Sequence, residues 1–463
     1  MKLRIFLLTL VVFSFLASCK KKAEKDLVIY DFEQIKEKGE LTIITLNSST
    51  SYFIYKEEPM GYDYDLAQDF CEHYGLELKV KVAENEKRLI EMLNNGEGDL
   101  IAYAVPILNE LKDSVAYSGL MQITHQVLVQ KADKTDTLIT DVTELIGKDV
   151  YVEENTKYNQ RLANLDSELG GGIKIHPVSE DTITSEDLIE KVSLGEIKYT
   201  VCDEYIAKLN RTYYRNIDIS LQISFEQRSS WAVRKNTPEL GKVLDEWFAA
   251  NDNKPVYESI TKKYFELSKR LFDEGYDDPT NLPKGAVSIY DDLFKRHAAA
   301  TKYEWQFLAA ICYHESRFYN NLTSWAGAAG IMGLMPRTAK SLGLSSEDRM
   351  NPDLSIGAAV ELLDRLDKIF RRIGDISERE KFILAAYNGG NGHVNDAQAL
   401  AEKYGANPYV WEGNVEKYLE LKSNPEYYND PVCKSGYFRG VETIKYVRSV
   451  LSTTERFKRK TQQ

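Results

Sequence analysis

The sequence has few cysteines, and no two of them stand at the spacing that zinc sites use. Five occur in 463 residues, and no Cys-x-x-Cys is present, so neither a metal nor another cofactor is expected. Positive charge is also scarce, because 59 Lys and Arg are outnumbered by 71 Asp and Glu, which gives a net charge of −12. This balance argues against nucleic acid as a partner.

Long apolar runs are absent after the N-terminus, so no later segment is expected to span a membrane. The N-terminus has two positive charges and then a short apolar run at 5–16 that leads into Leu-Ala-Ser-Cys. Residues 1–19 resemble a bacterial lipoprotein signal peptide, which implies that Cys19 is lipidated. A plain secretory signal is the alternative. Lys20, rather than Asp, follows the cysteine. By resemblance to the sorting signals of Gram-negative lipoproteins, this implies lipid anchoring at the periplasmic face of the outer membrane. Residues 20–39 are expected to form a tether.

The remaining cysteines cannot be paired from their spacing. Export permits disulfides, but Cys71 and Cys312 fall in apolar helical patterns, which favours buried free thiols. The pairing is therefore open for Cys71, Cys202, Cys312 and Cys433.

Strand and helix patterns alternate from residue 40 to residue 268 and predict an α/β domain. An apolar strand at 41–45 is followed by an amphipathic helix at 65–74 and an alternating strand at 76–82. This part of the chain resembles the periplasmic solute-binding proteins in several segments, which lie at 61–80, 89–100, 114–121, 145–156 and 201–207. The resemblance implies a bilobed domain that closes on a small polar ligand, with the second lobe at about 131–225.

The same resemblance implies a set of ligand-binding residues. Thr156, next to Asn155, and Asp203 are expected to reach the cleft from the second lobe, and in the family an acidic residue at the Asp203 position meets an amino group. In the first lobe, Lys112 stands six residues before Ser118, where the family usually has an arginine. Lysine offers a point charge rather than a planar fork. The ligand is therefore open between an amino acid and a muropeptide, and a domain that binds nothing is the alternative.

Residues 269–288 lack periodicity and contain Gly, Pro and charge, as a linker does. An all-helical domain is predicted for 289–463. Within it, Trp305, Leu308, Cys312 and Glu315 follow at helical spacing and share one face. A glutamate on an apolar face is costly unless it is paired or protonated.

Four motifs in this domain resemble the soluble-lytic-transglycosylase-type enzymes, whose fold is goose-lysozyme-like. They are HESRF at 314–318, AGAAGIMGLMPRTA at 326–339, RMNPDLSIGAAVELL at 349–363 and LAAYNGGNGHV at 384–394. The resemblance implies cleavage of the MurNAc-β-1,4-GlcNAc bond in peptidoglycan glycan strands, without water, to give 1,6-anhydro ends. It makes Glu315 the general acid. Apolar surroundings and a helix C-terminus both disfavour its anion, as an acid near neutral pH requires.

Other site residues are implied by register with the family. Substrate-binding roles are expected for Ser316, Ser324, Met335, Tyr387, Asn388 and Tyr446. One departure is Gly333, which stands where the family usually has a sugar-binding glutamine. The lost hydrogen bond corresponds to about 1 kcal/mol.

Two other functions fit parts of the sequence. A hydrolytic muramidase requires a second carboxylate, for which Asp348, Asp353 and Glu361 are candidates by position. A non-catalytic lipoprotein that binds the cell wall or a solute requires no acid at all.

We expect replacement of Cys19 by serine to move the protein from the membrane fraction to the soluble fraction of lysed cells, because a serine cannot carry the thioether-linked lipid. Immunoblotting of the two fractions measures this. Cys433→Ser is the matched control and should stay with the membranes. Equal membrane association of all three proteins would contradict the lipobox assignment.

Overall fold

The structure is a computed structural model, and it describes residues 30–133, 137–154, 156–178, 184–250, 254–267 and 282–462. Cys19, Asn155 and most of the predicted linker 269–288 lie outside these residues. Across the described ranges, no helix combines the length and apolarity needed to cross a membrane. The four cysteines in these ranges are free thiols, of which Cys433 alone is half-buried rather than buried.

The described residues form twelve strands and seventeen α-helices. The strands are β1 (Glu40–Leu46), β2 (Phe53–Tyr55), β3 (Glu58–Met60), β4 (Glu77–Ala83), β5 (Leu100–Pro106), β6 (Ala116–Thr124), β7 (Gln126–Lys131), β8 (Asp149–Glu153), β9 (Lys174–Val178), β10 (Tyr199–Asp203), β11 (Ile217–Asp218) and β12 (Gln227–Val233). The helices are α1 (Phe32–Lys38), α2 (Tyr62–Tyr74), α3 (Glu86–Asn94), α4 (Lys157–Glu168), α5 (Ser185–Leu194), α6 (Glu204–Arg211), α7 (Pro238–Ala249), α8 (Lys254–Phe265), α9 (Asp291–Ala298), α10 (Trp305–Ser316), α11 (Pro336–Ser341), α12 (Pro352–Ile369), α13 (Ile376–Gly389), α14 (Asn391–Lys403), α15 (Glu416–Leu421), α16 (Pro425–Tyr428) and α17 (Gly440–Thr461).

The first domain has two lobes, each built on a five-stranded sheet. In lobe 1 the strand order is β4-β1-β5-β12-β6, and in lobe 2 it is β11-β7-β10-β8-β9. The chain passes into lobe 2 between β6 and β7 and returns between β11 and β12, so lobe 2 begins at Gln126. Buried side chains of α1, α2, α7 and α8 cover one face of the lobe 1 sheet, and those of α3 cover the other. The predicted bilobed α/β fold is confirmed.

The second domain contains helices α9 to α17 around one core. Helix α10 lies at its centre, because every residue from Phe307 to Cys312 is at most 4% exposed. A helix that is apolar all round is buried all round, and α9 and α17 pack against it. The predicted all-α domain is confirmed. Its central helix ends in the motif that contains Glu315.

A short hairpin of lobe 1 reaches toward the helical domain. Strands β2 and β3 pair through a two-residue turn made by Lys56 and Glu57, with φ angles of 48° and 64°. Positive φ at both turn positions matches the twist of a tight hairpin, but residues other than glycine and asparagine rarely adopt it. Such backbone strain persists only where surrounding contacts hold it. The contacts that hold this turn come from the helical domain.

Candidate active site

Glu315 is the penultimate residue of α10, and its side chain is 5% exposed. The helix ends at Arg317, which has a left-handed φ of 51° and whose amide N–H donates to the Tyr313 carbonyl. This turn stops the helix one residue after Glu315. The carboxyl group therefore lies at the negative end of the helix dipole, inside apolar surroundings. The position agrees with the prediction from the sequence.

The partner of Glu315 comes from the other domain. Lys56, at the tip of the β2–β3 hairpin, places its Nζ 3.2 Å from Glu315 Oε2, and both side chains are at least 92% buried. Burial by itself would lower the pKa of the Lys56 ammonium, but the Glu315 carboxylate offsets this, and the pKa is raised. A buried glutamate must be paired or protonated, and in this conformation it is paired.

Gly333 makes room for this pair. It has a φ of +60°, and a Cβ built on it would lie 2.3 Å from Glu315 Oε2. A side chain at this position would displace the carboxylate or the loop. Glycine in place of the expected glutamine therefore leaves room for the Glu315 carboxylate in the conformation that the structure describes.

Two tyrosines flank the carboxylate. Tyr387 donates its hydroxyl to the Met332 carbonyl at 2.7 Å, and its ring centroid lies 5.9 Å from Lys56 Nζ. Burial and then the Glu315 charge raise the pKa of Tyr387 and of Tyr446 well above the ordinary value. Both tyrosines are therefore neutral donors at neutral pH. The Tyr446 hydroxyl and Glu315 Oε1 lack a hydrogen-bond partner within normal distance among the described residues.

The remaining predicted residues divide into two groups. Asn388 lines the cavity beside Glu315 and accepts from the Thr443 hydroxyl at 2.6 Å, and Met335 lies in the groove that the hairpin fills. Ser316 is fully buried, and its hydroxyl donates to the Ile331 carbonyl at 2.7 Å, which ties the following loop to α10. The Ser324 hydroxyl accepts from the Ala328 amide at 3.1 Å within a turn. Both serine hydroxyls are therefore hydrogen-bonded to loop backbone. Loop carbonyls and amides that lack a strand partner need side-chain partners of this kind.

A cavity of about 420 Å³ lies next to Glu315 at the junction of the two lobes and the helical domain. Lobe 1 contributes Phe53 and Tyr55, and lobe 2 contributes Tyr213 and Tyr214. His314 also lines it, but burial and then Arg317 lower its pKa to about 4, so its imidazole is neutral. The carboxyl group of Glu315 lines the same cavity.

A hydrolase requires a second carboxylate, for which the sequence offers three candidates. The three are exposed or partly exposed, and none of them lines the cavity: Asp348 bonds to Ser345, Asp353 to His297 and Glu361 to Arg365. The carboxylate that does line it is Glu442, whose side chain is 45% exposed and lies 3.9 Å from Lys445. Sequence reasoning did not single out Glu442.

Hydrogen bonds to the backbone of the helical domain hold the hairpin in addition to the Lys56–Glu315 ion pair. The Lys56 amide donates to the Gly389 carbonyl at 3.3 Å, and Glu57 Oε1 accepts from the Gly392 amide at 2.9 Å. Glu58 Oε1 accepts from the Arg337 amide at 2.7 Å. Each of these three consecutive residues therefore contacts a different segment of the helical domain, which explains how the strained turn is maintained.

A buried histidine fixes the first hairpin strand. His393 Nε2 lies 2.8 Å from the Ile54 carbonyl, and Lys422 Nζ lies 3.2 Å from His393 Nδ1. Because an ammonium can only donate, Nδ1 accepts and Nε2 carries the proton that is donated to Ile54. Burial and then Lys422 lower the pKa of His393 well below its usual range, so the ring stays neutral.

Lobe 2 makes a separate contact with the helical domain. Arg439, just before α17, donates to Glu186 Oε2 at 2.8 Å and to Asn210 Oδ1 at 2.9 Å. Its guanidinium lies 4.4 Å from the Tyr213 ring centroid. The Ser49 hydroxyl of lobe 1 also bonds to Glu186. One carboxylate therefore joins both lobes and the helical domain.

Of the four residues predicted to bind a ligand in the first domain, Thr156 and Asp203 both lie at the start of α4. Thr156 caps α4, and the next two residues both contact Asp203: Lys157 Nζ lies 2.7 Å away and the Tyr158 hydroxyl 3.1 Å away. Lys112, in contrast, is exposed. The Ser118 hydroxyl lies 2.6 Å from the Gly241 carbonyl and 2.8 Å from Asp245 Oδ1, both on α7, and its single proton is shared between these two acceptors. Ser118 belongs to β6, an edge strand that α7 covers.

Lys56, His393 and Arg439 are the functional contacts that sequence reasoning missed. The signal available was weak, since Lys56 and Glu315 are 259 residues apart. A turn of charged residues without Gly or Asn, followed by Glu-Pro, indicates a hairpin. It does not indicate which surface of the protein that hairpin contacts.

Known families match both domains. The sequence model of the Transglycosylase SLT domain matches residues 292–410, and that of Bacterial extracellular solute-binding proteins, family 3, matches residues 41–267. A protein from Desulfosudis oleivorans named membrane-bound lytic murein transglycosylase F is 34% identical over 435 residues, which are 92% of this chain and 92% of that protein. One of the same name from Vibrio cholerae is 31% identical over 443 residues, 91% of this chain and 79% of that protein.

A solved structure of a polar amino acid ABC uptake transporter substrate-binding protein from Streptococcus thermophilus matches about half of this chain. It has a TM-score of 0.45 and 17% identity, and it covers 52% of this chain and 93% of its own.

We expect Lys56→Met to loosen the hairpin, because Glu315 must then be buried as an unpaired anion or take up a proton. Breaking a buried ion pair typically costs about 3–5 kcal/mol. Hydrogen–deuterium exchange of peptides that cover residues 53–60 should become faster, since the Lys56 amide is bonded to Gly389 only in the docked state.

Lys36→Met is the control for this measurement, because Lys36 forms an exposed ion pair with Glu33 in the same lobe. Its effect on exchange at 53–60 should be negligible. Unchanged exchange in Lys56→Met would show that the pair does not hold the hairpin.

Proposed function

The chain belongs to the membrane-bound lytic murein transglycosylase F family, and from this premise we propose that it cleaves the MurNAc-β-1,4-GlcNAc bond of peptidoglycan without water. The observation that carries this proposal is Glu315, a single buried carboxyl group at the end of a central apolar helix, beside a 420 Å³ cavity. Tyr387, Asn388 and Tyr446 surround it. A cavity of this size is in the range of small-ligand sites.

The proposed reaction uses one group as acid and then as base. Protonated Glu315 gives its proton to the glycosidic oxygen, the C1–O bond breaks, and GlcNAc leaves with a free 4-hydroxyl. The C6 hydroxyl of the same MurNAc attacks C1 and returns a proton to Glu315, which closes the 1,6-anhydro ring. No water is consumed, and intramolecular attack gains from proximity. The neutral hydroxyl of Tyr446, whose pKa the Glu315 charge raises, would donate to the carboxylate while it waits for that proton.

We propose that the conformation with Lys56 paired to Glu315 is a resting state of this reaction. A general acid must carry a proton, whereas Glu315 is ion-paired with Lys56, and the hairpin fills the groove that contains Met335 and Tyr387. Withdrawal of the hairpin would expose the groove and remove the ammonium. The apolar surroundings would then favour the protonated acid.

Ligand binding in the first domain would cause the hairpin to withdraw from the groove. Lobe closure moves lobe 2 relative to lobe 1, and Glu186 is bonded to Ser49 of lobe 1 and to Arg439 of the helical domain at once. A change in lobe angle therefore strains this contact. Thr156 and Asp203 remain the proposed ligand contacts of lobe 2, with a muropeptide or an amino acid as the small ligand. This coupling requires two global states with different ligand affinity.

The proposed location is the cell envelope, on the periplasmic face of the outer membrane. Relatives whose names describe them as membrane-bound and the lipoprotein-like N-terminus support it. Lipidated Cys19 would be the anchor, and peptidoglycan glycan strands would be the substrate within reach.

A hydrolytic reaction is the second candidate, and the position of Glu442 favours it. Glu442 lines the same cavity as Glu315, so a carboxylate is present that could activate water. The product decides between the two reactions, because hydrolysis leaves reducing MurNAc ends and the lyase leaves anhydro ends.

We predict that Glu315→Gln lowers the rate of anhydro-muropeptide release from purified sacculi by at least about 10²-fold, the usual contribution of a general acid. Glutamine keeps the shape of the side chain and removes its proton-transfer capacity, and mass spectrometry identifies the products. Glu442→Gln is the matched control and should release anhydro products at the parent rate. Loss of activity in Glu442→Gln, with reducing ends released by the parent, would establish the hydrolase instead.

We also predict that Lys56→Met raises the rate on sacculi in the absence of any small ligand by about tenfold or more, because a few kcal/mol removed from the docked state shifts the closed–open equilibrium by that factor. Lys79→Met, on the exposed face of β4, should leave the rate unchanged. A lower rate in Lys56→Met would mean that Lys56 belongs to the catalytic machinery and not to the resting state.

A further inference from the structure

The helical domain has a second cavity, of about 470 Å³, which we call the basic pocket. Every residue that lines it belongs to the helical domain, between the end of α12 and the segment that follows α14. Its charged and amide side chains are Lys368, Arg371, Arg372, Asn395, Gln398 and Glu402. The basic pocket is distinct from the cavity beside Glu315, which has no lining residue in common with it.

Helix α12 connects the basic pocket to the groove that the hairpin fills. Leu362 and Leu366 line the groove, and Ile369 lines the pocket. Steps of four and three residues place these side chains on one face of the helix. The pocket therefore lies on the same side of α12 as the groove, about one helical turn, or about 5.4 Å, further along.

Helix α14 makes the same connection on its own face. Asn391 lines the groove, whereas Asn395, Gln398 and Glu402 line the pocket. These residues follow one another at steps of four, three and four, which is again one face of a helix. A chain bound in the groove and continuing between α12 and α14 would consequently reach the basic pocket.

The cations of the basic pocket are unpaired. Within the part of the chain that the structure describes, the side chains of Lys368, Arg371 and Arg372 have neither an ion pair nor a hydrogen bond, and all three are exposed. Arg365 on the same helix is different, because it pairs with Glu361. The three cations are therefore available to a ligand.

The charge of the basic pocket differs in sign from that of the whole chain. Three cations and a single carboxylate, that of Glu402, line it, in a chain of net charge −12. A concave site lined mainly by one sign of charge concentrates its field and attracts the opposite sign. Guanidinium groups bind carboxylates with two parallel hydrogen bonds. Arg371 and Arg372 therefore suit a carboxylate ligand.

Apolar surface accompanies these charges. Tyr409 and Ile369 line the pocket, and each is 45% exposed. Gln398 Nε2 donates to the Pro408 carbonyl at 2.7 Å, which holds the segment that carries Tyr409 against α14. An exposed aromatic ring offers a flat apolar face to a sugar ring, and its hydroxyl offers a polar contact. The pocket thus combines a surface for a sugar with charges for an acid.

We propose that the basic pocket is a subsite for a carboxylate of the peptidoglycan strand, carried by the lactyl group of MurNAc or by its stem peptide. This inference rests on the proposed function. A strand that extends from Glu315 along the groove would bring a neighbouring MurNAc to the pocket. GlcNAc carries no carboxylate, so the pocket would set the register of the two alternating sugars relative to Glu315.

The docked hairpin does not cover this subsite. Lys56 and Glu57 line the groove, but neither of them lines the basic pocket. A carboxylate can therefore reach Arg371 and Arg372 while Glu315 is still paired with Lys56. The chain would hold a peptidoglycan strand before it can cleave it.

Binding can be measured without turnover in a parent protein that carries Glu315→Gln. Isothermal titration compares three glycans of equal length: peptide-bearing strands, amidase-stripped strands with free lactyl carboxylates, and a chitin oligosaccharide. We expect one or both anionic glycans to bind about tenfold more tightly than chitin, the value of one good hydrogen bond to a charged group. Equal affinity for all three would overturn the proposal.

Two double substitutions in this parent test the basic pocket itself. Arg371→Gln with Arg372→Gln removes two of its cations and should abolish the preference for the anionic glycan. Arg459→Gln with Lys460→Gln is the matched control, because it removes two exposed charges of α17 that do not line the pocket. The control should keep the full preference. The same loss in both double variants, or a preference that survives the loss of Arg371 and Arg372, would overturn the proposal.

The comparison also identifies the source of the carboxylate. Tight binding of stripped strands assigns the lactyl carboxylate, and tight binding of peptide-bearing strands alone assigns the stem peptide. Vesicles with anionic phospholipid are the remaining probe, and a loss in the Arg371 and Arg372 variant of vesicle binding alone would replace the glycan with a lipid headgroup and overturn the proposal. All four substituted positions are exposed, so thermal unfolding should be unchanged.

The proposed reaction and the proposed subsite fail in different measurements. A wild-type chain that releases no anhydro product would refute the reaction, whereas the titrations require no turnover and still decide the subsite. Anhydro products from a chain that binds all three glycans equally would refute the subsite and leave the reaction intact.

Discussion

The ion pair between Lys56 and Glu315 is the interaction on which the arrangement of the domains depends. A carboxyl group buried at the end of an apolar helix has two stable conditions, ionised with a cation beside it or protonated without one. The first condition holds the hairpin in the groove, and the second is the one that acid catalysis requires. The proton and the hairpin therefore compete for the same oxygen atom. In the proposed reaction, this competition would let one group serve both catalysis and its control.

The other contacts of the interface hold the hairpin and lobe 2 against the helical domain, and they leave the competition between Lys56 and the proton unchanged. The Gly389 carbonyl and the Gly392 amide hold the backbone and the side chain of a turn with two positive φ angles. His393 is kept as a single tautomer by Lys422 and holds the strand before the turn. Arg439 ties lobe 2 to the same domain through Glu186, which Ser49 of lobe 1 also contacts. A movement between the lobes would therefore act on the helical domain through these directional contacts, of which those of Glu186 are partly buried.

Local patterns predicted the parts of the structure that local physics determines. The apolar spacing from Trp305 to Glu315 identified a buried helix that ends in a carboxylate. The alternation of strands and helices identified an α/β domain, and the family resemblance implied its two lobes. Roles that depend on side-chain direction were less predictable. Ser316 and Ser118 stand at motif positions, yet both hydroxyls bond to neighbouring backbone, because edge strands and irregular loops leave carbonyls that need donors. Lys56 could not be found at all, since its partner is far away in sequence and the turn resembles any exposed charged hairpin.

Isotope-edited infrared spectroscopy of the glutamate side chains, taken as the difference between the wild-type chain and Glu315→Gln, tests the central claim most directly. The account predicts the bands of an ionised carboxylate for Glu315 in the resting chain at neutral pH, and the band of a protonated carboxylic acid once Lys56 is replaced by methionine. A protonated acid in the resting wild-type chain would contradict it, because Lys56 would then be a neighbour of Glu315 and not its counter-ion.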